Sequence, residues 1–186
     1  MKQVSTDNFG LLIAYLLPGF VALWGVGFFS DTARSWLAVS PMTAPTVGGF
    51  LYVTLGSTAA GLIVSAVRWF LLDRLFHRTG IPEPTWQFAH LQDRLASFET
   101  LVEYHYRYYQ FYSNTLIALT FTYVSWLVRF PRGPRLADLG IVLIGLVLFF
   151  GSRDTLSKYY TRTSMLIPGA ARAPKGSPGG APKGET

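Results

Sequence analysis

Three stretches of this chain run for twenty residues or more without a charged side chain: Phe9 to Phe29 with 21, Gly48 to Val67 with 20 and Tyr108 to Val128 with 21. A helix rises ~1.5 Å per residue and the hydrocarbon core of a bilayer is ~30 Å thick, so ~20 residues cross it. A fourth run, Leu139 to Ser152, has 14 residues between Asp138 and Arg153. It crosses if Leu136 and Ala137 are added and Arg153 and Lys158 snorkel to the surface. Otherwise it is a re-entrant or buried segment, and the chain has three spans. The pattern predicts an all-α integral membrane protein with four transmembrane helices (three if the last run does not cross), at about 9–29, 48–70, 108–128 and 136–152. Residues 71–107 then form a cytoplasmic helical extension between spans 2 and 3, and 1–167 make one helical membrane domain.

Composition agrees with this reading. Only 14% of residues are charged and 50% are apolar, against roughly 25% charged in a soluble domain. A soluble enzyme, a disordered chain, a collagen-like chain and a disulfide scaffold are all disfavoured. The net charge of +6 suits an anionic membrane surface, and no nucleic-acid signature or basic stripe accompanies it. The chain has no cysteine, which excludes thiolate metal sites and thiol nucleophiles. The segment ahead of the first run has one cation, Lys2, and no clear small-x-small site follows the run, so an uncleaved first span is expected rather than a signal peptide.

Orientation follows from Lys and Arg. Segments 1–8, 68–107 and 153–186 hold 12 of them, and segments 30–47 and 129–138 hold 4. Both termini and the middle loop are therefore placed in the cytoplasm, and the chain in the cell (inner) membrane as a multi-pass protein. Arg129, Arg132 and Arg135 crowd a short loop assigned outside and run against the rule.

Within the spans, no ionisable group is central. The second carries Ser57, Gly61 and Ser65 at four-residue spacing, with Gly56 and Ala60 beside them. Such rows let helix backbones approach closely in lipid, within one bundle or between copies. In the first span Pro18-Gly19 is a candidate gating kink: proline frees a carbonyl that a neighbour or water must satisfy. Between the spans, residues 30–47 read as an outer loop with a short interfacial turn at 36–39. Pro82 and Pro84 break the helix leaving span 2, and Thr85 is placed to cap the next. Along that next helix Phe88, Leu91, Leu95, Phe98 and Leu101/Val102 recur every three or four residues, with Gln92, Asp93, Glu99 and Glu103 opposite. It continues without a breaker into span 3. Its apolar stripe is expected to pack on the extension 69–76 or to dock another subunit, and Phe88, Leu91, Leu95, Phe98, Glu99 and Glu103 form a candidate cytoplasmic contact face. Tyr104, Tyr106, Tyr108, Tyr109, Phe111 and Tyr112 read as an aromatic belt at headgroup level. Phe130-Pro131-Arg132-Gly133-Pro134 is a tight turn. Residues 168–186 contain four prolines and five glycines and are expected to be a disordered tail.

Chemistry is sparse. There is no His-Glu-x-x-His, Gly-x-Ser-x-Gly or Walker lysine, and Gly140 to Gly145 is followed by Leu146 where a phosphate loop needs lysine. Glu99, Glu103 and His105 are the only polar constellation, and the two-residue step from Glu103 to His105 points them apart on a helix. No catalytic residue, cofactor or metal site is expected, and the chain is read as a non-enzyme. Two functions follow. One is a self-associating interaction or structural component that presents a cytoplasmic helical hairpin. The other is an oligomeric pore gated from the cytoplasm. The expected partners are the lipid bilayer, further copies of the chain and a cytoplasmic protein, with no nucleic acid.

Overall fold

The computed structural model describes residues 10, 12–37, 47–84, 86 and 95–167. All regular structure among them is helical. Helix α1 (Leu12–Val26) opens with a π-helical turn, Leu12–Leu16. Helix α2 is Asp31–Leu37. Helix α3 (Val47–Arg78) contains a second π turn, Trp69–Asp73. Helix α4 runs unbroken through Leu95–Leu101, a third π turn at Val102–Tyr106, and Arg107–Arg129. Helix α5 is Leu136–Leu166. In the bundle α1 lies against both α3 and α4, and α5 packs along α4.

Two of these helices, α3 and α5, are long and apolar enough to cross a membrane, and their apolar windows are only 17% and 6% buried. Their large side chains face outward instead of filling a core. Helix α4 is long enough but less apolar, because it carries Gln110, Ser113, Asn114 and Ser125, all of which are buried. Helix α1, as described, is apolar but shorter than that length.

The interior changes character along the bundle. Where α1, α3 and α4 cross, the buried residues are small or polar: Ala22, Val64 and Ala118 form one cluster, with Pro18, Gly19, Ser57 and Gly61 beside it. Outside them Leu55, Leu62, Ile63, Leu143 and Val147 are exposed. At the other end Leu72, Phe76, Ile81, Tyr109, Leu156 and Tyr159 form a bulky, aromatic-rich core, with Trp86, Val102 and Tyr106 packed on it.

Helix α3 ends at Gly80, whose φ is 103°. Only glycine takes that left-handed conformation without strain. The Ile81 amide then bonds back to the Phe76 carbonyl at 3.1 Å, and Ile81 buries itself in the core that holds Phe76. Glycine thus stops the helix, and Pro82 and Pro84 only follow. Helix α5 starts with a capping box in which the Arg135 amide donates to Asp138 Oδ2 at 2.7 Å.

The short fourth run proves to be part of a 31-residue helix. Arg153 has partners within the chain. It donates to the Thr79 carbonyl at 2.7 Å and to Thr79 Oγ1 at 2.6 Å, closing the C-terminal end of α3 with a cation. Lys158 pairs with Asp154 at 2.6 Å. Because α5 extends past Ser152, the Leu95–Leu101 segment packs along α5, and not on 69–76 as the stripe suggested. Val102, the last residue of the stripe, does pack on the core that holds Leu72 and Phe76. The expected turn near Trp36 is helix α2, and Trp36 stacks on Tyr52 with ring centroids 5.6 Å apart. Phe88, Leu91, Gln92, Asp93, Thr85, the prolines at 41 and 45, and the tail 168–186 lie outside the described residues.

Candidate functional site

The most unusual chemistry lies where the two kinds of interior meet. Arg68 is 4% exposed on a helix whose outer face is apolar. Its guanidinium donates to Asp73 Oδ1 at 3.4 Å and sits 5.0 Å from the centroid of the Tyr109 ring. The Tyr109 hydroxyl donates to the same carboxylate oxygen. In an α-helix, positions five apart lie about 140° apart around the axis. The π turn Trp69–Asp73 widens the coil by one residue and brings Asp73 back beneath Arg68. Burying two ions is costly unless both are paired and hydrogen-bonded, and here the aromatic face adds a cation–π contact.

A second layer joins α4 to α1. Pro18 has no N–H to offer the Ala14 carbonyl four residues earlier, and Asn114 Nδ2 donates to that carbonyl at 2.8 Å. Gln110 Nε2 donates to the Tyr15 hydroxyl at 2.9 Å, and Thr122 Oγ1 to the Val21 carbonyl at 2.7 Å. The wide turn Leu12–Leu16 thus supplies Ala14 and Tyr15, and the wide turn Trp69–Asp73 supplies Asp73. The third, Val102–Tyr106, leads directly into the stretch of α4 that bears Tyr109 and Gln110. Wide turns of this kind recur at functional sites.

The small-residue row is used inside the chain. A Cβ on Gly19 would collide with the Ser57 carbonyl oxygen and reach the Gly61 amide nitrogen at 2.7 Å, and one on Gly61 would collide with the Tyr15 carbonyl. Ser57 and Gly61 are therefore covered by α1, Ala60 joins the same small cluster, Gly56 faces Leu23, and Ser65 is half-buried. Pro18 and Gly19, the candidate kink, are clamped between α3 and α4.

The polar constellation at the start of α4 does not converge. Glu99 is exposed. Glu103 pairs with Arg107 at 3.7 Å. His105 Nε2 lies 2.6 Å from Arg162 Nη1, an arrangement in which the imidazole accepts and stays neutral. Burial, then the Arg162 and Lys158 charges, hold its pKa below the usual histidine value. Among the described residues no three His, Asp or Glu side chains converge on a common point. Tyr104 and Tyr108 point outward, while Tyr106 and Tyr109 turn inward to the aromatic core, so the expected belt is split between two faces. Burial pushes the Tyr159 hydroxyl up to about 12 and raises Tyr160 as well, leaving both as neutral hydrogen-bonding groups. Leu95 is exposed at the start of the described α4, and the exposed Met165 lines a shallow groove of about 410 Å³ with Ser97, Thr100, Leu101, Arg162 and Leu166.

Sequence reasoning missed Arg68, Asp73, Gln110 and Tyr15, and read Tyr109 only as part of an aromatic belt. A signal was present: Arg68 and Asp73 bracket Trp-Phe-Leu-Leu, two opposite charges closing an apolar quartet. α-Helical periodicity sets them on different faces, so the pairing was invisible without the π turn. No protein-family model, no curated protein and no solved structure matches this chain.

Proposed function

We propose that the chain is a four-span inner-membrane protein with both termini in the cytoplasm. Its role is non-catalytic: it carries a rigid cytoplasmic helical platform, built from the ends of α3, α4 and α5, to a protein partner. The observation that carries this reading is the inversion of burial along three continuous helices. In lipid there is no hydrophobic drive between helices, so small residues and interhelical hydrogen bonds hold them together and large apolar side chains face outward. In water the large apolar and aromatic residues go inside. The Gly19, Ser57 and Gly61 end follows the first rule, and the Phe76, Tyr109 and Leu156 end follows the second. Outward hydroxyls in the first half, Thr54, Thr58 and Thr120, bond to their own helix carbonyls at 2.8 Å, which suits a lipid-facing surface. Of the three outer arginines that disturbed the charge count, one, Arg132, is neutralised by Asp138, with Nη1 to Oδ2 at 3.1 Å, and lies 4.3 Å from the Trp126 ring centroid.

The pore reading has less support. The polar residues of α4 that would line a path, Gln110, Asn114 and Ser125, are buried within one chain. Self-association through Ser57 and Gly61 is likewise disfavoured, because α1 occupies that row.

Photo-crosslinkers placed at Leu95 and Met165 in native membranes test the platform. A discrete protein adduct from both positions supports it, and lipid adducts alone overturn it. The mass of the chain in a lipid nanodisc tests the alternative: one or two copies are expected, and a closed ring of four or more revives the pore.

A further inference from the structure

The outer face of α3 changes at the π turn. Trp69, Phe70 and Leu71 are three consecutive exposed apolar residues, at 63%, 54% and 51%, and Leu75 is exposed one turn on. Arg74 and Arg78 are exposed on the same stretch. The Arg74 guanidinium lies 4.4 Å from the Phe70 ring centroid and 5.9 Å from that of Trp69. Among the described residues neither Arg74 nor Arg78 forms an ion pair with a carboxylate. Arg68 and Asp73, which precede them in sequence, are turned inward and satisfy each other. The π turn therefore separates one inward charge pair from two outward cations that pair with no carboxylate among the described residues.

Depth identifies what those cations meet. From Val47 to Trp69 the helix rises about 33 Å, the thickness of the hydrocarbon layer. Trp69 and Phe70 then sit at its inner boundary, where aromatic rings concentrate. Arg74 lies about one turn further on, within the headgroup layer, and Arg78 follows one turn deeper, with a side chain long enough to reach back. The apolar surface above them is continuous with the outward face of α3.

We propose that Trp69, Phe70, Arg74 and Arg78 form a binding surface for an anionic phospholipid of the inner leaflet. The arginines take the phosphate of its headgroup, and Trp69 to Leu71 lie against its glycerol and upper acyl chains. Arginine suits this role because its planar fork pairs with phosphate oxygens in two places at once. The inference rests on the reading of α3 as a span whose Arg78 end is cytoplasmic.

The test is lipid retention by the full chain, read by native mass spectrometry from micelles doped with phosphatidylglycerol or phosphatidylcholine. The wild-type chain is expected to retain phosphatidylglycerol preferentially. R74Q/R78Q should lose that preference by a factor on the order of thirtyfold, the worth of two cations at a membrane surface. R129Q, an exposed arginine at the far end of α4, should retain it, and all three proteins should melt alike without added lipid. Equal retention of both lipids by the wild-type chain overturns the inference. So does an equal loss in R129Q, or displacement of the lipid by inorganic phosphate alone. Extraction by alkaline carbonate reads the underlying topology separately: a chain released into the supernatant overturns the membrane reading together with the lipid surface. A chain that stays in the pellet but lacks lipid preference overturns the lipid surface alone.

Discussion

Asn114 does at one position what a proline-containing helix needs from its surroundings. It is fully buried, and its amide fills the gap that Pro18 leaves at Ala14. Asn114→Leu keeps the number and branching of the side-chain heavy atoms and removes the donor. It should lower stability by about 1 kcal/mol, typical of an interhelical bond in a membrane protein, measured as a lower unfolding temperature in detergent. His105 gives a pH-dependent counterpart. Its folded-state pKa lies below 6.5, first through burial and then through Arg162 and Lys158. The unfolded chain therefore binds the proton more readily than the folded one. The stability that the neutral imidazole contributes is complete above about pH 6.5 and is lost as pH falls below it. His105→Gln should flatten this part of a melting-temperature profile between pH 7.5 and 5.5, and an unchanged slope would show that another group governs it.

At the scale of elements, two contrasts separate packing from composition. Gly61 and Gly140 both lie within long apolar helices, but a Cβ at Gly61 meets the backbone of α1 and one at Gly140 meets nothing within 4 Å. Gly61→Ala should cost about 2–3 kcal/mol as α1 is pushed off α3. Gly140→Ala should be neutral or stabilising by up to about 1 kcal/mol through helix propensity. The π turn makes a second contrast. Arg68→Met leaves Asp73 buried with only Tyr109 as a partner, and should cost about 3 kcal/mol, the lower end for a broken buried pair because the Asp73 side chain is still 17% exposed. The double variant R68M/D73N should cost less than the sum of its single changes, since the second removes the charge that the first stranded. These elements also mark where sequence reading reached its limit. The close-packing row on α3 was legible because small residues at four-residue spacing have one main use in lipid. Its partner was not, since one helix of the same chain and a second copy present the same surface. The Arg68–Asp73 pair was hidden because its spacing belongs to a π turn, and residue spacing alone does not announce one. The length of α5 was underestimated because charge ends an apolar run without ending a helix: Arg153 and Asp154 sit inside it.

At the scale of the molecule, all-helical architecture and the long uncharged runs were readable from charge spacing alone. The structure adds how the chain divides its two environments. One half buries glycine, serine and asparagine and exposes leucine, and the other buries phenylalanine and tyrosine. The aromatic-rich half was only partly legible, because its core draws on residues far apart in sequence, Ile81 with Leu156 and Tyr159. The central claim is that this division is the boundary of a bilayer crossed four times. The chain has no cysteine, so each introduced thiol is a single reporter. Gly133, Ser35, Thr100 and Ser157 are exposed, and each is replaced in turn by cysteine and treated with a membrane-impermeant maleimide. The account predicts labelling of Ser35→Cys and Gly133→Cys in intact cells, and of Thr100→Cys and Ser157→Cys only after the membrane is opened. Labelling of Gly133→Cys from the same side as Thr100→Cys would contradict it, since α4 would then not cross.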